Sequence, residues 1–397
     1  MENNEKMTTQ QFDSLIWRVK DYSDEVIKKV VYSIPESTIL DHNTTYLDLA
    51  MGGGQFLQGV HKRCIAAGQL SEQILPRLFG FEKSRVYLNY AKWHNNLEGS
   101  NLQVCSNPEQ IPTEMKFDVI IGNPPYQKGG NSAFYTIFLR KIGELLKPGG
   151  YFSQVTPSKA AAMYTKGYKE LAKTGWNRVE YGLDSSFPNI GQPIAIFSGF
   201  DKTIPSETLT VVDGDNQIIL PRNSVLPVQY ISPTKKFTQA NSSLTLSIFQ
   251  KFYNSTNKKV KDRYQTLDVP PAGSYVYLST VAWGYHPSRP KGGPYAFLCH
   301  LNSQDDYYAT GSRGKFMLFK TNKQAEQMFW LLSRSYLYRF VVAASCRAQF
   351  LPRVLLEETP DWLGVTTDEE LYAKVGLTPD EINYINLWNT ETAGNIK

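Results

Sequence analysis

The residues with the most evident chemical use are Asn123, Pro124, Pro125 and Tyr126, which follow the run Asp118-Val119-Ile120-Ile121-Gly122. An apolar run closed by a breaker reads as a buried strand. Neither proline has an N–H to donate, and each has φ fixed at about −65°. Asn123 precedes a proline, which drives it to an extended conformation. The result is a stiff corner that holds a side-chain amide, two free carbonyls and one ring. It lies at a strand end, where open α/β sheets bind ligands. A surface turn uses the same residues, so the corner alone decides nothing.

Two features upstream bear on it. Thr44-Thr45-Tyr46-Leu47-Asp48-Leu49-Ala50 reads as a strand running into Met51-Gly52-Gly53-Gly54-Gln55-Phe56-Leu57, a glycine turn that opens a helix ending near Gly68. Strand, glycine loop and helix bring backbone N–H groups and a helix N-terminus against a ligand. Three glycines alone are equally a flexible turn. Leu78-Phe79-Gly80-Phe81 is the next strand, and Glu82 at its end is 28 residues past Gly54 (82 − 54). An acid at about that distance takes ribose hydroxyls in mononucleotide-binding α/β folds; a solvated carboxylate is the plain alternative.

The elements that position these groups follow from periodicity. A helix is expected over 84–95, strands over 102–105 and 117–121, and a helix over 132–146 with Phe134, Ile137, Phe138, Ile142 and Leu145 on one apolar face. Lys147-Pro148-Gly149-Gly150 stops that helix. A fifth strand over 151–156, a helix over 157–173 and strands over 179–183 and 194–200 complete the alternation. That rhythm predicts an α/β fold, a doubly wound parallel sheet. Beyond Asp201 short strand-like pieces, turns and basic-aromatic clusters take over, with a main helix expected over 324–343. The domain reading is 1–201 catalytic, 202–353 a second mixed α+β domain, and 354–397 an acidic helical tail.

At 397 residues the chain has room for two or three cores. The net charge of +5 is unevenly spread: residues 202–353 hold 19 Lys/Arg against 8 Asp/Glu (+11), and residues 354–397 hold 2 against 9 (−7). A basic middle segment points to a polyanion, with Arg289, Lys291, Arg313, Lys315, Arg347 and Arg353 as candidate phosphate or base contacts. Four scattered cysteines, Cys64, Cys105, Cys299 and Cys346, argue against a zinc site or a disulfide framework and for a reducing cytosol. The polar start Met1–Gln10 predicts no signal peptide, and no apolar run approaches the ~20 residues of a membrane span.

Together the motifs resemble S-adenosylmethionine-dependent DNA adenine-N6 methyltransferases of the gamma-type order, in which the cofactor motif precedes the catalytic one. The glycine motif matches Asp48 to Leu57, the ribose acid Glu82, and the catalytic tetrad Asn123-Pro124-Pro125-Tyr126. The resemblance implies a seven-stranded Rossmann-like sheet followed by a target-recognition domain. It places S-adenosyl-L-methionine against Asp48, Ala50, Gly52, Gly54, Phe56, Glu82, Asn123 and Phe134, with Asp48 engaging the amino end through water. Asn123 Oδ1 and the Pro124 carbonyl are expected to accept from the target amino group, aiming its lone pair at the methyl. Tyr126 and Phe187 are expected to stack on a flipped base, and no metal is required. Val19-Lys20-Asp21-Tyr22 loosely resembles the cofactor-covering motif. The family's acid after the third strand is replaced here by Cys105-Ser106-Asn107.

The resemblance implies a monomer acting on double-stranded DNA in a prokaryotic or phage-host cytoplasm, alongside a separate restriction endonuclease. RNA adenine or protein glutamine as acceptor, and an inactive DNA-binding relative, stand as alternatives.

Overall fold

Strand β1, Tyr46–Asp48, is three residues long, yet it lies between β2 (Leu78–Glu82) and β4 (Phe117–Gly122) and is parallel to both. The computed structural model describes residues 24–127, 133–161, 165–183, 186–187, 194–213, 216–222, 224, 226, 243–265, 271–279, 299–302, 314–345 and 358–393. The chain divides into two compact units, Met1–Ala161 with Thr165–Arg222, and Ala162–Tyr164 with Asn223–Lys397.

In the first unit, β3 (Asn101–Val104), β5 (Leu146–Pro157), β6 (Gly175–Tyr181), β7 (Ile194–Phe200), β8 (Thr208–Asp213) and β9 (Asn216–Pro221) complete one sheet of order β3-β2-β1-β4-β5-β7-β6-β8-β9. β3, β2, β1, β4 and β5 are parallel; β7 runs antiparallel to both β5 and β6. The α/β class and the seven expected strands are present. Among the described residues the sheet nevertheless has nine strands, because β8 pairs in parallel with β6 (Arg178 opposite Thr210) and β9 folds back on β8. The boundary expected at residue 201 therefore lies at Arg222: two strands assigned to the second domain extend the first unit's sheet.

Chain connection order reverses across β1, with β2 on one side and β4 on the other. That switch point opens a crevice at the strands' carboxyl ends. Behind it, Val26, Val30 and Val31 of the helix Asp24–Tyr32 and Val60 and Cys64 of the helix Gln55–Ala66 pack with Tyr46, Val119, Ile121 and Tyr151 of the sheet. The helix Asp24–Tyr32 ends before Pro35, which is the N-cap of a further short helix, Glu36–Leu40. Proline suits that place, where a missing N–H goes unmissed.

The second unit has its own antiparallel sheet, β10 (Tyr264–Gln265), β13 (Gly314–Phe319), β11 (Ser274–Ser279) and β12 (Cys299–Leu301) in that order. Its core joins Phe249, Phe252, Met317, Leu331 and Val342 with Leu371, Tyr372, Ile385 and Trp388. The segment 354–397 is thus no appended tail, because its apolar residues complete this core. Its acids meet the basic segment directly: Glu381 accepts from Lys251 Nζ at 2.7 Å, Asp361 from Arg263 Nε at 2.5 Å and Glu358 from Lys261 Nζ at 2.5 Å. The single helix expected over 324–343 is two, Asn322–Ser333 and Tyr336–Ser345. Asp368 Oδ1 takes the N–H of Tyr336 at 2.9 Å and the hydroxyl of Ser335 at 2.8 Å, which caps the second helix and holds the break. Among the described residues, no helix is long and apolar enough to cross a membrane.

Candidate active site

A cavity of about 440 Å³ lies over the carboxyl ends of β1, β2, β3 and β4. Each strand contributes residues at or just past its end: Leu49 and Ala50 from β1, Glu82 and Lys83 from β2, Cys105 and Ser106 from β3, and Asn123 through Gln127 from β4. Phe134 and Phe138, edge to face at 5.6 Å, and Tyr87 close the walls. The volume is that of a small-molecule site.

Glu82 ties the two upstream motifs together. Its Oε2 accepts from the Gly52 N–H at 3.1 Å and its Oε1 from the Ser84 N–H at 2.9 Å, so a buried carboxylate is fixed at both oxygens. The glycine loop is pinned elsewhere too: Asn95 Nδ2 donates to the Gly53 carbonyl at 2.6 Å, and Gln58 Nε2 to Asn95 Oδ1 at 3.0 Å. Gly54 caps the helix Gln55–Ala66 at φ +80°, and a Cβ there would stand 2.8 Å from Leu97 Cδ1 and 3.0 Å from Ala91 Cβ. Only glycine meets both demands.

Asp48 is 1% exposed and does not line the cavity. Its Oδ1 accepts from the Ala50 N–H at 3.0 Å, and its Oδ2 has no hydrogen-bond partner among the described residues. Burial, opposed by the Ala50 bond and reinforced by the nearby Glu82 charge, pushes its pKa up from 3.8 to about 7. The carboxyl lies against Gly122, at φ +147°, where a Cβ would stand 2.6 Å from Asp48 Oδ1. Asp48 therefore touches the last residue before the Asn123 corner.

At that corner Asn123 and Tyr126 are half-buried, Pro124 is buried and Pro125 exposed. The Tyr126 hydroxyl donates to Asn123 Oδ1 at 2.7 Å. An amide oxygen and a ring thus stand together on the cavity wall, at the end of a strand that β1 separates from Glu82's strand. The arrangement offers hydrogen-bond acceptance and stacking for a flat amino-bearing group, with a carboxylate for a diol.

Of the residues expected in the site, Ala50, Glu82, Asn123, Pro124, Pro125, Tyr126 and Phe134 line this one cavity. Gly52 and Gly54 shape the loop beside it. Phe56 is in the core cluster with Met51 and Leu57, and Phe187, 7% exposed, is in that same cluster with Leu183 and Ile194. Tyr126 packs on the cluster's edge. Arg289, Lys291, Arg313, Arg347 and Arg353, like Val19 to Tyr22, lie outside the described residues; Lys315 pairs with Leu278 on β13. Sequence reasoning had no pattern for Lys83, Tyr87 and Pro108. Lys83 and Tyr87 follow Glu82 at one and five residues, the only signal available. The β3 end carries no carboxylate: Cys105 Sγ donates to the Asn107 carbonyl at 3.1 Å, and Glu109, the next acid, pairs with Arg140.

The stretch from β2 through the corner to β6 matches a known family. Residues 77–180 match the model of the Eco57I restriction-modification methylase family. The matched stretch spans Glu82, Asn123, Pro124, Pro125, Tyr126 and Phe134. A search of curated proteins finds no match. Solved structures similar to the chain include the M protein of the type I restriction enzyme EcoKI, with 16% identity, TM-score 0.40 and coverage of 47% of each chain. A modification subunit of a putative type I restriction enzyme from Vibrio vulnificus YJ016 has 15% identity and TM-score 0.40, over 53% of this chain and 54% of that one. A type I methyltransferase subunit from Streptococcus thermophilus has 19% and 0.40, over 51% and 50%. The chain spans about half the length of these structures.

Proposed function

We propose that the first unit transfers a methyl group from S-adenosyl-L-methionine to the exocyclic N6 of a flipped adenine in duplex DNA. The observation that carries the reading is the convergence of Glu82 and the Asn123–Tyr126 corner on one cavity. The cavity fits the cofactor by its donor set. It has a buried, doubly anchored carboxylate for ribose hydroxyls, Leu49 and Ala50, next to the glycine loop, for the methionine end, and Phe134, Phe138 and Tyr87 for flat surfaces. When bound, the cofactor supplies an electrophilic methyl on a good leaving group, so no metal is needed.

The protein's part is positioning. An adenine amino group is a poor nucleophile because its lone pair is delocalised into the ring. Asn123 Oδ1 and the Pro124 carbonyl accept its two hydrogens, draw the nitrogen toward tetrahedral geometry and aim the lone pair; this is preorganisation of acceptors and dipoles. Tyr126 stacks on the extruded base; Phe187, enclosed in the core cluster, is not offered for the other face. Stacking at about 1–3 kcal/mol per base is comparable with the few kcal/mol lost on leaving the duplex. The second unit is the proposed reader of the DNA, and a separate restriction endonuclease the proposed partner, with the protein acting as a monomer in a prokaryotic or phage-host cytoplasm.

Incubation with labelled S-adenosyl-L-methionine and unmethylated genomic DNA tests this. The expected product is N6-methyladenine; label only in protein or RNA overturns it. Sequencing of methylated adenines from cells expressing the protein then gives the recognition sequence.

A further inference from the structure

Asn123 presents an ambiguous tool. Its side chain ends in one acceptor and one double donor of nearly the same shape. Facing the cavity with the carbonyl, it accepts from an amino group. Turned by half a rotation about its last bond, it points hydrogens at hydrogens and repels the same group. Something must choose.

The neighbouring residues have little to choose with. Gly122 has no side chain, and Pro124 and Pro125 have no N–H to offer. What the chain supplies is Tyr126, three residues on, brought back over the corner by the two fixed proline φ angles. Its hydroxyl reaches Asn123 Oδ1 at 2.7 Å, the hydrogen bond that marks the oxygen end of this amide. A carbonyl oxygen has two lone pairs, so one bond from Tyr126 leaves the other free.

We propose that the Tyr126 hydroxyl is a positioning group that sets which end of the Asn123 amide faces the target amino nitrogen. This rests on the methyl-transfer reading for its consequence, but not for the orientation itself. It gives Tyr126 two separable duties, stacking by the ring and polarity-setting by the oxygen. A carboxylate at position 123 has two equivalent oxygens and needs no such setting. The hydroxyl therefore matters for an amide and not for a carboxylate.

The test is a double-mutant cycle on the full chain: wild type, Tyr126→Phe, Asn123→Asp and the pair. Single-turnover methylation of unmethylated genomic DNA is measured at saturating cofactor, with cofactor Kd by calorimetry. Tyr126→Phe is expected to slow the single-turnover rate by roughly 3- to 10-fold, the scale of one neutral hydrogen bond, with cofactor Kd unchanged. In the Asn123→Asp background the same change is expected to be within about twofold, the ordinary scatter of independent sites. Equal losses in both backgrounds overturn the proposal, because the hydroxyl then acts through stacking or packing. A second readout does not need activity. In protein labelled with 15N at asparagine side chains, the Asn123 amide is expected to hold one orientation in wild type and two in Tyr126→Phe. One fixed orientation in both overturns the proposal. If wild type labels no DNA, the methyl-transfer reading falls, and the amide spectrum still decides the role of the hydroxyl.

Discussion

The neutral form of Asp48 is open to direct measurement. Its carboxyl is fully enclosed, with Oδ2 lacking a partner among the described residues, and burial raises its pKa from 3.8 to about 7. Removing its proton in the fold therefore costs more than in the unfolded chain, by roughly 4 kcal/mol at about 1.4 kcal/mol per tenfold change in the dissociation constant. The sign follows: the folded pKa lies above the unfolded one. The contribution of Asp48 to stability is thus complete below about pH 4 and is lost as pH rises through about 7. Asp48→Asn keeps the Oδ1 acceptor for the Ala50 N–H and has no proton to lose. Urea unfolding of the cofactor-free protein is followed from pH 4 to pH 8 by a probe in the first unit, such as buried Trp176. Wild type minus variant should fall by roughly 4 kcal/mol across that range, and most of the fall should lie between pH 5 and 7. Subtraction cancels the other titrating groups. A difference that stays flat with pH would show that Asp48 is ionised in the fold, and the account of its burial would be wrong.

Four other outcomes follow from named contacts. Asn123→Ala should lower the methylation rate by roughly 100-fold or more, the scale of removing a preorganised hydrogen-bonding group, with cofactor Kd by calorimetry little changed. Gly122→Ala forces a Cβ against Asp48 at an unfavourable φ and should destabilise the first unit by about 2–4 kcal/mol in urea titration. Glu82→Ala should both weaken cofactor binding and speed amide hydrogen exchange at Gly52 and Ser84, whose N–H groups it now accepts from. Truncation after residue 353 removes Leu371, Tyr372, Ile385 and Trp388 from the second unit's core, and that unit's cooperative unfolding transition should disappear.

What the sequence made legible is what short segments decide for themselves. The strand before Asn123, the glycine turn and the acid ending β2 are local patterns, and the sheet brings the corner and the acid to one cavity with the glycine turn beside it. The limit at residue 201 failed because β8 is defined by a partner: Thr210 belongs beside Arg178, and no local pattern announces that pairing. Charge counting erred in the same way. Residues 354–397 read as a separate acidic tail, whereas Glu381, Asp361 and Glu358 are the counter-charges of Lys251, Arg263 and Lys261. Phe187 was nominated by its place before a strand, and the same place suits the core cluster in which it is found. The unusual proton of Asp48 is a tertiary property, set by everything that excludes water from it.

Glu82 is tethered at both oxygens before any ligand arrives, and this makes it a gauge rather than a grip. A surface glutamate can swing to meet whatever hydroxyl is offered; this one presents its remaining lone pairs at a fixed separation. A sugar held there, as proposed for the cofactor's ribose, would be sorted by the spacing of its hydroxyls. A vicinal cis pair can meet both oxygens at once. A deoxy analogue leaves one side of a buried charge unanswered, a penalty of about 1–3 kcal/mol. In the proposed cofactor that selectivity falls on the ribose, remote from the sulfur, so a nucleoside can be rejected for its sugar without any reference to the methyl it carries.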